Sequence, residues 1–556
     1  MTGPTPSPDN SATRTRLLAG LAIAVAALAL ARWSHVDRLG FALGWVAFVP
    51  WLAVLDRAPT LRAAARAGWV MSVAFVLAVF GWFAVAVHGY TGAPLWLAYL
   101  LLALAAPLLQ PQFLLCAVAR RAVPAGSDAT TFLLRTAVAA GSYVGAEWAW
   151  PKLLGDTVGY GFWIAPVLRQ AADAIGVHGL TFVLLVVNEC VLAGIRTTVT
   201  GRRRARDLLP PIACALGLLA ALAVYGTIRL RQLAQPPDTP SITVAAIQAG
   251  LGDYRGLAAD LGTYGAVRTV LDAHFALSQS VLHEAPALLV WPETIYPTTF
   301  GTPKSEQGAA FDREIGGLVS TTGVPLVFGA YEAAPGGRDG AAAGREFNAA
   351  IVLERDAAGE LSFDAYRKAK LFPLTEQVPA FLDGPTARRW LPWLGTWQAG
   401  ESASVLNVTT QAGPIRIAPL ICYDAVDPHL ARQAVRDGAQ LLVTMSNDAW
   451  FASGDGPLQH FVVAGFRSIE TRTPQVRATT TGISAIVDAT GATLARAEVG
   501  ERAALVARVT PAVAPRTLLL LWGDWFAPTA LVGAGALLIL SRWRSRHRSI
   551  TLAHEH

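Results

Sequence analysis

Long uncharged apolar runs, separated by short basic segments, fill the first 230 residues of the chain, and one more such run lies near its end. An apolar helix of about 20 residues crosses a hydrocarbon core about 30 Å thick. The pattern predicts eight spans, at 15–33, 40–56, 67–88, 94–118, 132–150, 177–195, 209–229 and 518–541. A second span follows the first too closely for that first one to be a removed leader. After Pro236-Pro237-Asp238-Thr239-Pro240 the pattern changes, and short β-rich runs alternate with polar stretches of helical period. Strands are predicted at 242–247, 287–291, 325–331, 349–353, 415–421, 441–446, 483–487 and 504–509, helices at 258–284 and 458–473, and a Gly- and Ala-rich loop at 334–344. Such alternation implies one large α/β domain. The expected plan is a disordered cytoplasmic tail at 1–13, a seven-span domain at 14–230, the α/β domain at 231–515, an eighth span at 516–541 and a basic cytoplasmic tail at 542–556.

Composition agrees with a membrane protein: 53% of the 556 residues are hydrophobic and only 15% are charged. A net charge of +6 invites a nucleic-acid reading, but the arginines sit in alternate loops instead. Arg14 and Arg16 precede the first run; Arg57, Arg62 and Arg66 lie between the second and third; Arg120 and Arg121 follow the fourth. Arg196, Arg202, Arg203, Arg204 and Arg206 separate the sixth and seventh, and Arg542, Arg544, Arg546 and Arg548 follow the eighth. By the positive-inside rule both termini are cytoplasmic and the α/β domain faces away from the cytoplasm. Arg229 and Arg231 are the exception. Glu147 and Glu189 fall within apolar runs, where a carboxylate is either functional or paired for packing. Trp148, Trp150, Trp163, Trp522 and Trp525 fall near the predicted outer interface.

Of four cysteines, Cys116, Cys190 and Cys214 lie in apolar runs and only Cys422 lies in the α/β part. Cys422 ends the apolar stretch Ile415 to Ile421, and loops beyond strand ends are where α/β folds present chemistry. Taken alone, it reads as a buried structural thiol. Glu293 after Leu289-Val290-Trp291-Pro292, and Lys368 in Tyr366-Arg367-Lys368-Ala369-Lys370, change that reading. A thiol must lose its proton to attack, a carboxylate can take that proton, and a fixed ammonium can hold an oxyanion.

These three stretches resemble the signatures of the nitrilase (carbon–nitrogen hydrolase) superfamily. Ser446-Asn447-Asp448-Ala449-Trp450-Phe451, Gln459-His460, Arg477-Ala478-Thr479-Thr480-Thr481-Gly482 and Gly523-Asp524-Trp525, on an eight-span frame, resemble its membrane-bound apolipoprotein N-acyltransferase branch. The resemblance implies an α-β-β-α sandwich on a multi-pass helical bundle, in the inner membrane of a bacterium. It implies Cys422 as nucleophile, Glu293 as base, Lys368 at the oxyanion and Glu376 as a supporting carboxylate, with Tyr423, Asp424 and Trp450 beside the site. Asp424 stands where that family commonly has Glu, and Lys370 where it often has His. A tryptophan common after the first strand is absent from Gln248 to Gly256.

The implied reaction moves a fatty acyl chain from a phospholipid, through a Cys422 thioester, to the α-amine of a diacylglyceryl-cysteine on a lipoprotein. No cofactor, metal or nucleic acid is expected. Alternatives are a membrane-tethered amidase and a silent lipoprotein-binding relative. The segment from Trp390 to Trp397 is a membrane-facing lid or ordinary packing. Asp427, His429 and His460 are metal ligands by residue type alone, without a recurring ligand spacing.

Overall fold

The computed structural model describes residues 8–124, 128–153, 155, 157–199, 205–234, 239–333, 346–356, 358–379, 382–451 and 454–554. The expected loop at 334–344, the linker residues 236–238 and Arg202 to Arg204 lie outside them, as does the tail up to residue 7. The first helix, Pro8–Ser34, starts inside the expected tail. The chain divides into two compact units, one of residues 1–88, 92–232 and 524–556, the other of 89–91 and 233–523.

In the first unit, six helices among the described residues are long and apolar enough to cross a membrane, at Thr13–Ser34, Arg38–Asp56, Leu61–Val79, Leu168–Thr198, Leu208–Leu233 and Phe526–Arg544. The pair Leu95–Leu109 and Pro111–Ala122, bent by 47°, makes a seventh if it is one span. Eight were expected. The difference is the run 132–150, which forms the 21-residue helix Ala129–Ala149 and carries Arg135 and Glu147. Its many buried small residues pack it against helices of the same unit. The final span begins at Phe526 rather than 518, because Gly523 takes φ 68° and ends the short helix Leu518–Trp522.

Glu189 takes two hydrogen bonds from Arg120, at 2.5 and 3.0 Å, and Arg120 also reaches Asp56 at 2.8 Å. Arg135 and Arg196 face the same Asp56. Glu189 is therefore a packing carboxylate. The cluster gathers side chains from four helical segments of the unit. Arg229, the exception to the alternation of arginines, is paired with Asp173 at 2.8 Å. Trp163, expected at an interface, is buried with Arg169 stacked on its ring.

The second unit is built on two sheets. Its strands are β1 (Ile242–Gln248), β2 (Leu288–Val290), β3 (Tyr296–Thr299), β4 (Leu326–Ala333), β5 (Glu346–Arg355), β6 (Leu361–Arg367), β7 (Leu406–Thr410), β8 (Gly413–Ile421), β9 (Leu441–Ser446), β10 (Gln475–Thr479), β11 (Ala485–Val487), β12 (Thr493–Arg496) and β13 (Ala503–Val509). One sheet runs β13-β1-β2-β4-β5-β6, with β3 on β4; the other runs β12-β11-β10-β9-β8-β7. At their centres β1, β2 and β4, and β8, β9 and β10, are parallel.

Side chains alternate across each strand. Val244 and Ala246 of β1 meet Ile415, Ile417 and Ile421 of β8 in a core between the sheets. Ala245 and Ile247 face out, against Val270 and Leu271 of the helix Tyr254–Val281 and Ile315 of the helix Glu306–Thr322. Ala418 and Leu420 of β8 face the helices Pro428–Arg436 and Asp455–Thr471. Both faces of the central strands are covered, so they appear in sequence as nearly continuous apolar runs. The result is the expected α-β-β-α sandwich.

Candidate active site

Glu293, Lys368 and Cys422 each follow a strand: β2 through Trp291-Pro292, β6 directly, and β8 directly. Trp291 is fully buried, and its Nε1 donates to Ser278 Oγ at 2.9 Å. Gly329 of β4 passes so close that a Cβ there would lie 2.6 Å from Glu293 Cα. Lys368 N donates to Asn348 O at 2.8 Å, extending the β5–β6 ladder by one residue. Cys422 opens a short 3-10 turn with φ 48°, in the left-handed region. A non-glycine residue stays there only where its surroundings demand it. Asp424 supplies much of that demand. It accepts from Ile421 N at 2.9 Å, Lys370 N at 2.7 Å and the Tyr366 hydroxyl at 2.9 Å.

The three residues come together around one ammonium. Lys368 Nζ lies 2.7 Å from Glu376 Oε1 and 3.2 Å from Glu293 Oε1. Glu293 also accepts from Asn348 Nδ2 and from Asn447 N, each at 2.7 Å. Glu376 Oε2 accepts from Phe372 N at 2.7 Å. Burial pushes the Lys368 pKa down, but the Glu293 and Glu376 carboxylates outweigh it and hold the ammonium well above the usual lysine range. The Cys422 thiol feels the same charges. Burial and then Glu293 push it far up, with Lys368 opposing. The thiol is therefore protonated at rest, and attack requires a base to take the proton as the new bond forms.

Aromatic rings border this cluster. Phe372 lies 5.1 Å from Tyr423 and 5.6 Å from Trp450, and Trp450 stacks on Phe451 at 4.1 Å. The 390–397 stretch divides its character: Trp390 is 78% exposed, whereas Leu394 is buried and Trp397 packs on Tyr331. Lys370 pairs with Asp427 at 2.7 Å and lies over the Tyr423 ring.

The roles of Asn348 and Asn447 were not visible in the sequence, nor was the buried network of Asp448, His460 and Arg477. Burial raises the Asp448 carboxyl, but His460 and Arg477 outweigh it and hold it at about 2. Strand β10, which carries Arg477, was missed because Gln475 and Arg477 interrupt any apolar run, yet all five of its residues are buried. The three metal-ligand candidates fall into two networks, His460 apart from Asp427 and His429. Asp427 accepts from Lys370 and His429 N, while His460 faces Asp448 and the Cys422 carbonyl. Among the described residues no group of three His, Cys, Asp or Glu is placed to hold a metal.

Comparison with known proteins follows the same division. Residues 243–516 match the carbon-nitrogen hydrolase family model, and residues 17–190 match that of the apolipoprotein N-acyltransferase N-terminal domain. A Bdellovibrio bacteriovorus protein named apolipoprotein N-acyltransferase is 27% identical over 92% of this chain and 95% of its own length. Among solved structures, the C. elegans NitFhit protein is similar at a TM-score of 0.36 and 19% identity, covering 49% of this chain and 61% of that one. A Bradyrhizobium diazoefficiens protein, also named apolipoprotein N-acyltransferase, is 30% identical over 68% of this chain and 67% of its own, and the chain belongs to the apolipoprotein N-acyltransferase family.

Proposed function

We propose that the chain is a membrane enzyme that acylates the N-terminal α-amine of lipoproteins by a two-step transfer through Cys422. Cys422 Sγ attacks an ester carbonyl of a phospholipid while Glu293 takes the thiol proton. Lys368 faces the oxyanion that forms. The C–O bond then breaks, the proton passes from Glu293 to the departing lysophospholipid oxygen, and an acyl thioester remains. In the second step the α-amine of a diacylglyceryl-cysteine attacks the thioester carbonyl. The C–N bond forms, the C–S bond breaks, and the amine proton returns through Glu293 to the thiolate. Glu376 holds Lys368 in place, Asp424 holds the Cys422 turn, and Tyr423 and Trp450 flank the acyl approach. The alternating arginines support a bacterial inner-membrane location, with cytoplasmic termini and the sandwich domain outside.

The observation that carries this reading is the buried Lys368, held between Glu293 and Glu376, with the Cys422 thiol within the field of these three charges. A carboxylate, an ammonium and a thiol so placed meet the three needs of acyl transfer. The test is peptide mass spectrometry of purified protein after incubation with phospholipid alone. A fatty acyl adduct on the Cys422 peptide, removed by hydroxylamine and absent in Cys422→Ala, is expected. A diacylated lipopeptide should then discharge it as amide. Discharge by water only would make the protein a hydrolase, and a folded protein that forms no adduct would overturn the reading.

A further inference from the structure

The mechanism above uses no residue of the helix Asp455–Thr471, yet one side chain of that helix reaches the backbone of the nucleophile. His460 is buried, with Nε2 3.2 Å from the Cys422 carbonyl oxygen and Nδ1 3.0 Å from Asp448 Oδ1. Asp448 is itself fixed. Ser446 Oγ donates to it at 2.5 Å and Arg477 at 3.0 Å. It cannot withdraw toward Gly482, where even a Cβ would stand 2.1 Å from Asp448 Oδ2.

A carbonyl oxygen only accepts, so His460 Nε2 carries a proton. This holds however Nδ1 is satisfied, whether it donates to Asp448 or accepts from Arg477, whose nitrogen lies 3.1 Å away. Every consistent assignment therefore places a donor on the Cys422 carbonyl. At Cys422 this contact has a particular use. Its φ of 48° is costly for a residue with a Cβ, and the direction of Sγ follows from that backbone. Asp424 ties down Ile421, just before the turn, and joins the turn to Lys370 beyond β6. The ring of His460 ties down Cys422 itself.

The geometry points to His460 as a positioning residue for acyl transfer, its Nε2–H pinning the Cys422 carbonyl so that the left-handed turn presents Sγ to the ester, with Asp448 and Arg477 holding the ring. This rests on Cys422 being the residue that is acylated.

The test compares His460→Gln, His460→Asn and His460→Phe in the full chain, purified in detergent micelles containing phosphatidylethanolamine and phosphatidylglycerol. The readout is the rate of adduct formation on Cys422, followed by mass spectrometry across phospholipid concentrations, with the unfolding midpoint alongside. A Gln amide nitrogen reaches the place of the ring Nε2, whereas an Asn amide does not. Asn and Phe should slow adduct formation at saturating phospholipid by about 10- to 100-fold, the scale of a misplaced reacting group. The half-saturating phospholipid concentration should stay unchanged, and Gln should recover most of the loss. If the Phe variant does not fold, the Gln–Asn pair decides. Asn reacting as fast as wild type would overturn the inference. So would Gln reacting as slowly as Asn, or a loss confined to half-saturation. Wild-type protein that forms no adduct would instead overturn the acylation of Cys422, and this inference with it.

Discussion

Replacing Lys368 by Met leaves an unbranched side chain one atom shorter and removes a charge 2.7 Å from Glu376 and 3.2 Å from Glu293. Lys368 is 1% exposed, so water does not take its place. One ammonium against two carboxylates leaves the trio at net −1; without the ammonium it stands at −2. Removing one partner of a buried ion pair costs about 3–5 kcal/mol. The Glu376 side chain is 17% exposed and recovers some hydration, which favours the lower end. At about 2–4 °C per kcal/mol for a domain of this size, a loss of about 3 kcal/mol lowers the unfolding midpoint by about 6–12 °C. The pH dependence has a definite sign. A lysine raised above its unfolded value stabilises fully below about pH 10.4 and loses that contribution only as pH rises through its folded value. Between pH 5 and 8 the missing ammonium is therefore a constant loss, and what varies is the orphaned carboxylate pair. Like charges sharing a site favour uptake of a proton, so the deficit should be full at pH 8 and smaller at pH 5. The assay is thermal unfolding of the full chain in detergent, followed by tryptophan fluorescence at both pH values. Adding Glu376→Gln returns the net charge to −1 and should recover about half of the midpoint loss. A midpoint within 2 °C of wild type at pH 8, or an equal deficit at both pH values, would refute the electrostatic account.

Three further outcomes are expected. Burial, opposed by Lys368 and three hydrogen bonds, raises the Asp424 carboxyl to about 6. Its stabilising protonated form is complete below the unfolded value of about 3.9 and lost as pH rises through 6, a change of about 3 kcal/mol that Asp424→Asn should abolish in urea midpoints taken between pH 4 and 7. Equal slopes for the two proteins would sink that assignment. Gly329→Ala places a Cβ 2.4 Å from Thr294 N and 2.6 Å from Glu293 Cα, so the base must move. Cys422 adduct formation should slow by about 100-fold, and an unchanged rate would mean that the end of β2 yields freely. Glu189→Gln leaves Arg120 with Asp56 as its remaining carboxylate and should destabilise the helical bundle by about 3–5 kcal/mol in detergent unfolding, while Cys422 still forms its adduct. Loss of the adduct in well-folded protein would show that Glu189 does more than pack.

The sequence by itself determined the two-part architecture and the residue types of the site. Membrane helices are legible because an uncharged run of about 20 residues satisfies its own backbone and matches lipid. The sandwich is legible because its central strands are buried on both faces, so Ile417 to Ile421 and Leu441 to Val443 are continuous apolar runs. Glu293 and Cys422 stand out because each follows such a strand, whereas Lys368 follows the largely exposed edge strand β6 and was marked by the family signature around it. The run 132–150 shows where this reasoning stops, since an apolar stretch of span length also suits a helix packed inside a bundle. Only the tertiary structure decided which residues meet. Asn348 and Asn447 reach Glu293 from 55 and 154 residues away, and His460 reaches Cys422 from 38. Hydrophobic periodicity is a local property and survives in the linear pattern. The partners of a buried carboxylate depend on sheet order and register, which hydrophobic burial sets collectively and no single segment encodes.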